Sequence, residues 1–268
     1  MAATLTPSSI TSTRKGRMSQ PPQRNPWRVP LLALGGDFMT GDEIGEQAKE
    51  LGIPKGGLYF RGRVGVLGDL TATAAHDLLA IFPAWLIDRT WTSSASIPAP
   101  RAVEAYTASC HDWGRRHLAD LPAGERLADL LARAVDGVEP VGAVLARAWQ
   151  HAERPDDVPA RAAHAAMVLR EVRGGLHFAA LSLVSLPIMR AVVADDLGGA
   201  GRMRRTGWSK EAIAEIVDSA RSDDKERWRE AEAATEAAFV GVLGDALTVD
   251  EMNELGGLVL DAYAASRP

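Results

Sequence analysis

The sequence predicts an all-α fold, and three observations carry that prediction. The apolar content, 46% of 268 residues, is mostly Ala, Leu and Val with only 6% aromatics, and Ala and Leu are strong helix formers. Apolar residues recur at helical spacing, as in Leu127, Leu130, Leu131 and Ala134. Helix-start signatures recur along the chain, whereas no alternating strand with a hairpin turn is found.

Residues 1–28 hold no Asp or Glu and are rich in Ser, Thr, Pro, Arg and Gln, the composition of a disordered tail. Met18 is a candidate start, which would make 1–17 an upstream extension. Thr40-Gly-Asp-Glu43 reads as a capping box opening a helix that stops near Gly52, ahead of Pro54. GGLYFRGRVGVLGDL (56–70) reads as a glycine-rich connector. A helix follows from about Thr71 to Arg89, with Pro83 set to kink or split it.

Further helices are expected to start near Ala99, Ala123, Pro140 and Pro159, because Pro122, Pro140 and Pro159 suit a first turn. Val141, Val144, Leu145, Ala148 and Trp149 form one apolar stripe, and 160–186 reads as a single helix. DDLGGAGRMRRTG (195–207) reads as a flexible basic loop. Ser209 and Ser222 are expected to cap the next two helices, and Thr248-Val-Asp-Glu251 is a capping box for the last.

The formal net charge of −5 opposes generic binding to phosphate backbones. A single cysteine, Cys110, excludes a disulfide framework within one chain and points to a cytoplasmic protein. No apolar run reaches the length of a membrane span, and no secretory signal is expected.

The most informative stretch is VLREVRGGLHFAAL (168–181). With 100° per residue, Arg170, Arg173 and His177 fall within an arc of about 60°, while Glu171 and His164 fall within about 20° of each other on another face. The first set has the residue types that clamp a carboxylate or phosphate, with His177 as acid or base. Glu171 and His164 are the types to pair and fix a tautomer, and Glu171 is a second catalytic candidate; two ligand types are too few for a metal site. The alternative is a structural network joining helices. Gly174 and Gly175 each cost about 1 kcal/mol against Ala in a helix interior, so they break the helix or admit a close neighbour.

Other motifs are thinner. Cys110 and His117 share a helix face, and the acidic pairs at 156–157, 195–196 and 223–224 sit where helix starts and loops favour acids. No G-x-S-x-G elbow, phosphate-binding loop or complete dinucleotide fingerprint is present, and the residues name no cofactor and no metal.

GLYFRGRVGVLG (57–68), Pro83, HAAMVLREVRGGLHFAAL (164–181), GWSKEAIAEIV (207–217) and EAATEAAFVGVLGD (232–245) together resemble a mainly actinobacterial family that carries the helix-turn-helix label. His164, Arg170, Glu171, Arg173, Gly174 and His177 match its most specific segment. The resemblance implies a pseudo-duplicated helical protein with degenerate winged-helix-like portions, whose last helices resemble the dimerising helices of MarR-type repressors. It brings no catalytic assignment. This chain has Phe82-Pro83 where the family has His-Pro, and it lacks the wing after the GWS helices.

The division expected is a tail (1–28), a helical domain (29–200) and a winged-helix-derived segment (201–268) packed on it. The leading function is small-molecule binding or regulation by a homodimer, with Tyr59, Arg63, His164, Arg170, Arg173 and His177 lining the ligand site. The alternatives are an enzyme using His177, and a DNA-binding regulator disfavoured by the acidic charge and the missing wing.

Overall fold

The structure, a computed structural model, describes residues 26–267, so most of the compositional tail, with Met18, lies outside the described residues. Trp27 and Arg28, assigned to that tail, belong to the folded body: Trp27 packs on Phe239, and Arg28 opens the first helix. The described chain is all-helical, with fourteen α-helices and one 3-10 turn at Asp37–Met39.

The first seven helices are α1 (Arg28–Leu34), α2 (Asp42–Glu50), α3 (Lys55–Gly65), α4 (Ala72–Leu78), α5 (Ala84–Ser93), α6 (Ala99–His117) and α7 (Gly124–Gly137). The second seven are α8 (Val144–Gln150), α9 (Val158–Leu183), α10 (Ile188–Ala194), α11 (Gly199–Arg205), α12 (Lys210–Asp218), α13 (Asp224–Gly244) and α14 (Val249–Ala265). The run α4–α7, of 7, 10, 19 and 14 residues, is echoed by α11–α14, of 7, 9, 21 and 17.

The centre of the molecule is α9. Asp157 caps it by accepting from the Ala160 N–H at 3.3 Å, with Pro159 in its first turn. It packs against α1, α6, α7, α8 and α13. Small residues let the neighbours close in: a Cβ on Gly114 of α6 would lie 2.5 Å from the Pro159 carbonyl oxygen. One apolar core unites Leu31, Tyr106, Leu130, Trp149 and Leu169 with Phe239, Leu255 and Val259, so 29–200 and 201–268 share it.

Several local expectations hold. Helix α2 stops at Gly52, which takes φ +66°, and Pro54 starts α3. Pro83 splits its helix and becomes the N-cap of α5. Ser209 caps α12 by accepting from the Ala212 N–H at 3.1 Å, and the Thr248–Glu251 capping box forms.

Others are corrected. Segment 56–70 is mostly helix α3, because its glycines meet α6: a Cβ on Gly62 would lie 2.5 Å from the Tyr106 Cβ. Segment 195–207 is largely helix α11. The Thr40–Glu43 capping box does not form; Glu43 is buried and takes Arg116 at 3.3 Å. Ser222 does not cap α13, whose N-cap is Asp223, and Asp224 instead grips Arg190 with the Nε contact at 2.8 Å. Residues 140–143 are a turn, leaving Val141 91% exposed and outside the α8 stripe.

Two short-turn helix pairs stand out. Helices α2 and α3 are joined through Gly52, and α11 and α12 through Gly207 at φ +95°. Beyond Lys55 no residue of α3 is exposed. The α11–α12 turn meets the α4–α5 turn, where the Trp208 Nε1–H donates to the Ile81 carbonyl at 2.9 Å.

The α3–α6 contact predicts that Gly62→Ala destabilises the protein by about 1–3 kcal/mol, because the added methyl has no room. A urea titration reads this as a lowered midpoint; an unchanged midpoint would mean that α3 and α6 part easily.

Candidate functional site

The polar residues of α9 emerge on the side facing α3 and α13. Glu171 is 6% exposed, and both its oxygens are engaged. The Arg63 guanidinium donates to it in a fork, Nε to Oε1 at 3.0 Å and Nη2 to Oε2 at 2.8 Å. Arg170 Nη1 donates to Oε1 at 2.9 Å. Burial lifts this carboxyl's pKa, but Arg63 and Arg170 more than reverse the effect and hold it below the usual carboxylate range. Arg63 Nη1 also donates to the Tyr59 hydroxyl at 2.8 Å.

One turn along, Arg173 is equally committed. Its Nε and Nη2 donate to Glu236 Oε1 at 3.0 and 2.6 Å, and Nη2 also bonds Glu232. Arg28 of α1 bonds the same Glu232 oxygen. His177 Nδ1 lies 3.1 Å from the Thr235 hydroxyl and 3.6 Å from Glu232 Oε2. Burial lowers the His177 pKa, partly opposed by Glu232, so the ring is neutral at pH 7.

These groups border a cleft of about 920 Å³, at the upper end of the size range of small-molecule pockets. Its floor is Arg170–Ser182 of α9 and its walls come from α4, α10, α11 and the 138–146 segment. The lining carries five arginines and five carboxylates, and is formally neutral. A second cavity of about 500 Å³ lies against the same 139–144 turn.

The two glycines of α9 do different things, and neither breaks the helix. A Cβ on Gly175 would lie 2.5 Å from the Ala143 Cβ, so this glycine admits the 138–143 turn. A Cβ on Gly174 would meet nothing within 4 Å, although Gly174 lines the cleft.

Of the residues expected at a ligand site, Arg63, Arg170, Arg173 and His177 line the cleft, and Tyr59 and His164 do not. Tyr59 holds Arg63 and packs on Phe82. His164 is not paired with Glu171 but with His111, Nδ1 to Nε2 at 3.1 Å, and its own Nε2 is buried without a partner among the described residues. Burial pushes His111 down to about 4 and His164 down to about 3. The expected anion clamp is already filled from within, since Arg173 is neutralised by Glu232 and Glu236. Glu171 accepts three hydrogen bonds from two arginines, two on Oε1 and one on Oε2, and with its pKa held down by them it is a poor base.

Among the described residues no group of three metal-ligating side chains occurs. Cys110 is fully buried, with its thiol pKa pushed up by desolvation, while His117 stacks on Trp113. The acidic pairs contribute carboxylates to arginines, as Asp157 to Arg115, Asp195 to Arg202 and Asp224 to Arg190.

Sequence reasoning missed Arg28, Glu232, Thr235 and Glu236. A signal existed for the last three: their spacing of i, i+3 and i+4 puts them on one face of α13, complementary to Arg173 and His177 four apart on α9.

The two glycines give opposite predictions. Gly174→Ala should stabilise by about 0.8–1 kcal/mol, from helix propensity alone. Gly175→Ala should destabilise by roughly 1–3 kcal/mol through overpacking on Ala143. Denaturation midpoints of the two variants decide; a shift of the same sign would refute the assignment.

The buried histidine pair predicts acid sensitivity. Both rings are neutral when folded and take protons near 6.5 when unfolded, so their stabilisation is complete above pH 6.5 and is lost as pH falls toward 4 and 3. Urea midpoints should fall between pH 6.5 and 4.5, and fall less steeply in His164→Leu. Parallel curves would exclude His164 as a source of the slope.

Comparison with known proteins agrees with the helical turns described above. Neither a curated protein nor a solved structure matches the chain. A family model described as a helix-turn-helix family matches residues 38–266, from the 3-10 turn to the end of α14. With most of its length so matched, the chain belongs to that helix-turn-helix family.

Proposed function

We propose that this is a helical regulatory protein that binds a small molecule in the cleft over α9, its helix-turn-helix units serving as framework. The observation that carries the reading is where the cleft lies. Its walls include Leu79 and Ile81 beside the α4–α5 turn and Ala191, Val192 and Arg202 of α10 and α11. Those two regions meet through Trp208 and Ile81, so an occupant that favours one arrangement of the turns shifts the population toward it. Gly174 supports the reading, since a helix-weakening residue stands where it leaves open space in the cleft.

A DNA-reading role is less well supported. Helix α3 has no exposed face to offer a groove. Helix α12 is exposed, but Glu211, Glu215 and Asp218 outnumber Lys210 on it, and phosphates repel such a surface. The chain passes from α12 to α13 without a strand, so a wing is missing. We include in the proposal a cytoplasmic homodimer. The likeness of the last helices to MarR-type dimerising helices favours α13 and α14, where Val240, Val249 and Leu260 are exposed.

A second reading, catalysis with His177 as acid or base, is favoured by one observation. Nδ1 is held by Thr235 and Glu232, while Nε2 has no partner among the described residues.

Native mass spectrometry of the untagged protein, purified from cells, tests the main reading. A reproducible extra mass is expected on the wild type and not on Gly174→Leu, which fills the cleft while keeping the fold. Equal masses in the two proteins, or strong salt-dependent binding of a DNA duplex, would count against it.

A further inference from the structure

We infer that the cleft takes an uncharged, largely apolar molecule that donates a hydrogen bond, from a hydroxyl or an amide N–H, to Nε2 of His177. The inference rests on the reading of the cleft as a ligand site and adds the chemical class.

The argument starts from Thr235, which is fully buried on α13. Its hydroxyl has one proton, and it donates that proton to the Ala231 carbonyl at 2.7 Å, one helical turn back. The hydroxyl can therefore only accept from His177, whose Nδ1 lies 3.1 Å away. The next neighbour of Nδ1, Glu232 Oε2 at 3.6 Å, is also an acceptor. Two acceptors facing one ring nitrogen place the proton of the neutral imidazole on Nδ1. Nε2 then carries a lone pair. It has no donor among the described residues, and His177 lines the cleft.

The arginines of the lining are occupied, and the two lining carboxylates that hold no arginine, Asp77 and Glu139, are exposed to solvent. Arg63 and Arg170 serve Glu171, Arg28 and Arg173 serve Glu232, and Arg202 serves Asp195 at 3.3 Å. An anionic ligand would have to displace one of these carboxylates, and a cationic one would have to displace an arginine or be held by the solvent-exposed Asp77 and Glu139. The remaining wall is apolar, from Leu78, Leu79, Ile81, Leu176, Ile188 and Val192. Away from those two exposed carboxylates, the cleft leaves open apolar surface and one acceptor. A molecule with apolar bulk and one donor satisfies both, and a buried acceptor left unpaired would cost affinity.

Isothermal titration calorimetry with three probes of one shape tests this: 2-naphthol, 2-methoxynaphthalene and 2-naphthoate, at neutral pH on the full chain. The naphthol should bind about tenfold more tightly than the ether, and the naphthoate most weakly. His177→Asn keeps an N–H toward Thr235 and removes the Nε2 lone pair. It should remove the naphthol's advantage over the ether, whatever it does to the affinity that the two share. Thr235→Val removes the acceptor that fixes the tautomer and should reduce the same preference, which covers the case of a poorly folded His177→Asn.

Equal affinity for naphthol and ether, or a preference that survives both variants, overturns His177 as the reader. Tightest binding by naphthoate overturns the uncharged class and leaves the cleft standing. Absence of binding by all three, or binding that Gly174→Leu does not weaken, brings down the cleft reading and this inference together.

Discussion

The fold depends on neutralising charge inside α9. This helix is buried along most of its first two-thirds, yet it carries Glu171 and Arg173 near its middle, at 6% and 5% exposure. Desolvating such groups is costly unless each is paired in good geometry. The partners come from opposite ends of the chain: Arg63 from α3 for Glu171, and Glu232 and Glu236 from α13 for Arg173. The two ion clusters thus fix where α3 and α13 lie along the central helix. Net stabilisation from such pairs is small, and their effect is on register, because sliding either helix by a turn would strand a buried charge.

The same clusters determine what the cleft can do. An arginine that holds a protein carboxylate is no longer available to a ligand, so a cluster that looks anion-binding in a linear sequence is closed from within. His177 sits one turn beyond Arg173 and escapes this, because its neighbours on α13 satisfy only one face of the ring.

Much of the helical succession was legible. Apolar spacing, capping residues and prolines located most helix starts, since each acts within a turn of its own position. Helix α3 was illegible because its four glycines in eleven residues read as a loop, and only the close approach of α6 overrides that propensity. Helix α11 was hidden for the same reason, by Gly198, Gly199 and Gly201. The organisation of 168–181 was visible from angular spacing, but its electrostatics were not. Glu171 finds Arg63 at a separation of 108 residues and Arg173 finds Glu236 at 63, distances over which no local pattern speaks. His164 illustrates the limit: its angular neighbour on the helix was Glu171, and its actual partner is His111 on α6.

The meeting of the chain's two ends has a consequence for biosynthesis. Trp27 packs on Phe239 and Gly256, Arg28 reaches Glu232 across 204 positions, and Asp37 pairs with Arg267. At a ribosomal rate of about 5–20 residues per second, α1 waits on the order of 10–40 s for its partners to emerge. Through that interval Trp27, Leu31 and Leu34 lack the α13–α14 side of their packing. The nascent chain therefore carries an unfinished apolar seam along α1, open to other chains until the last two helices arrive.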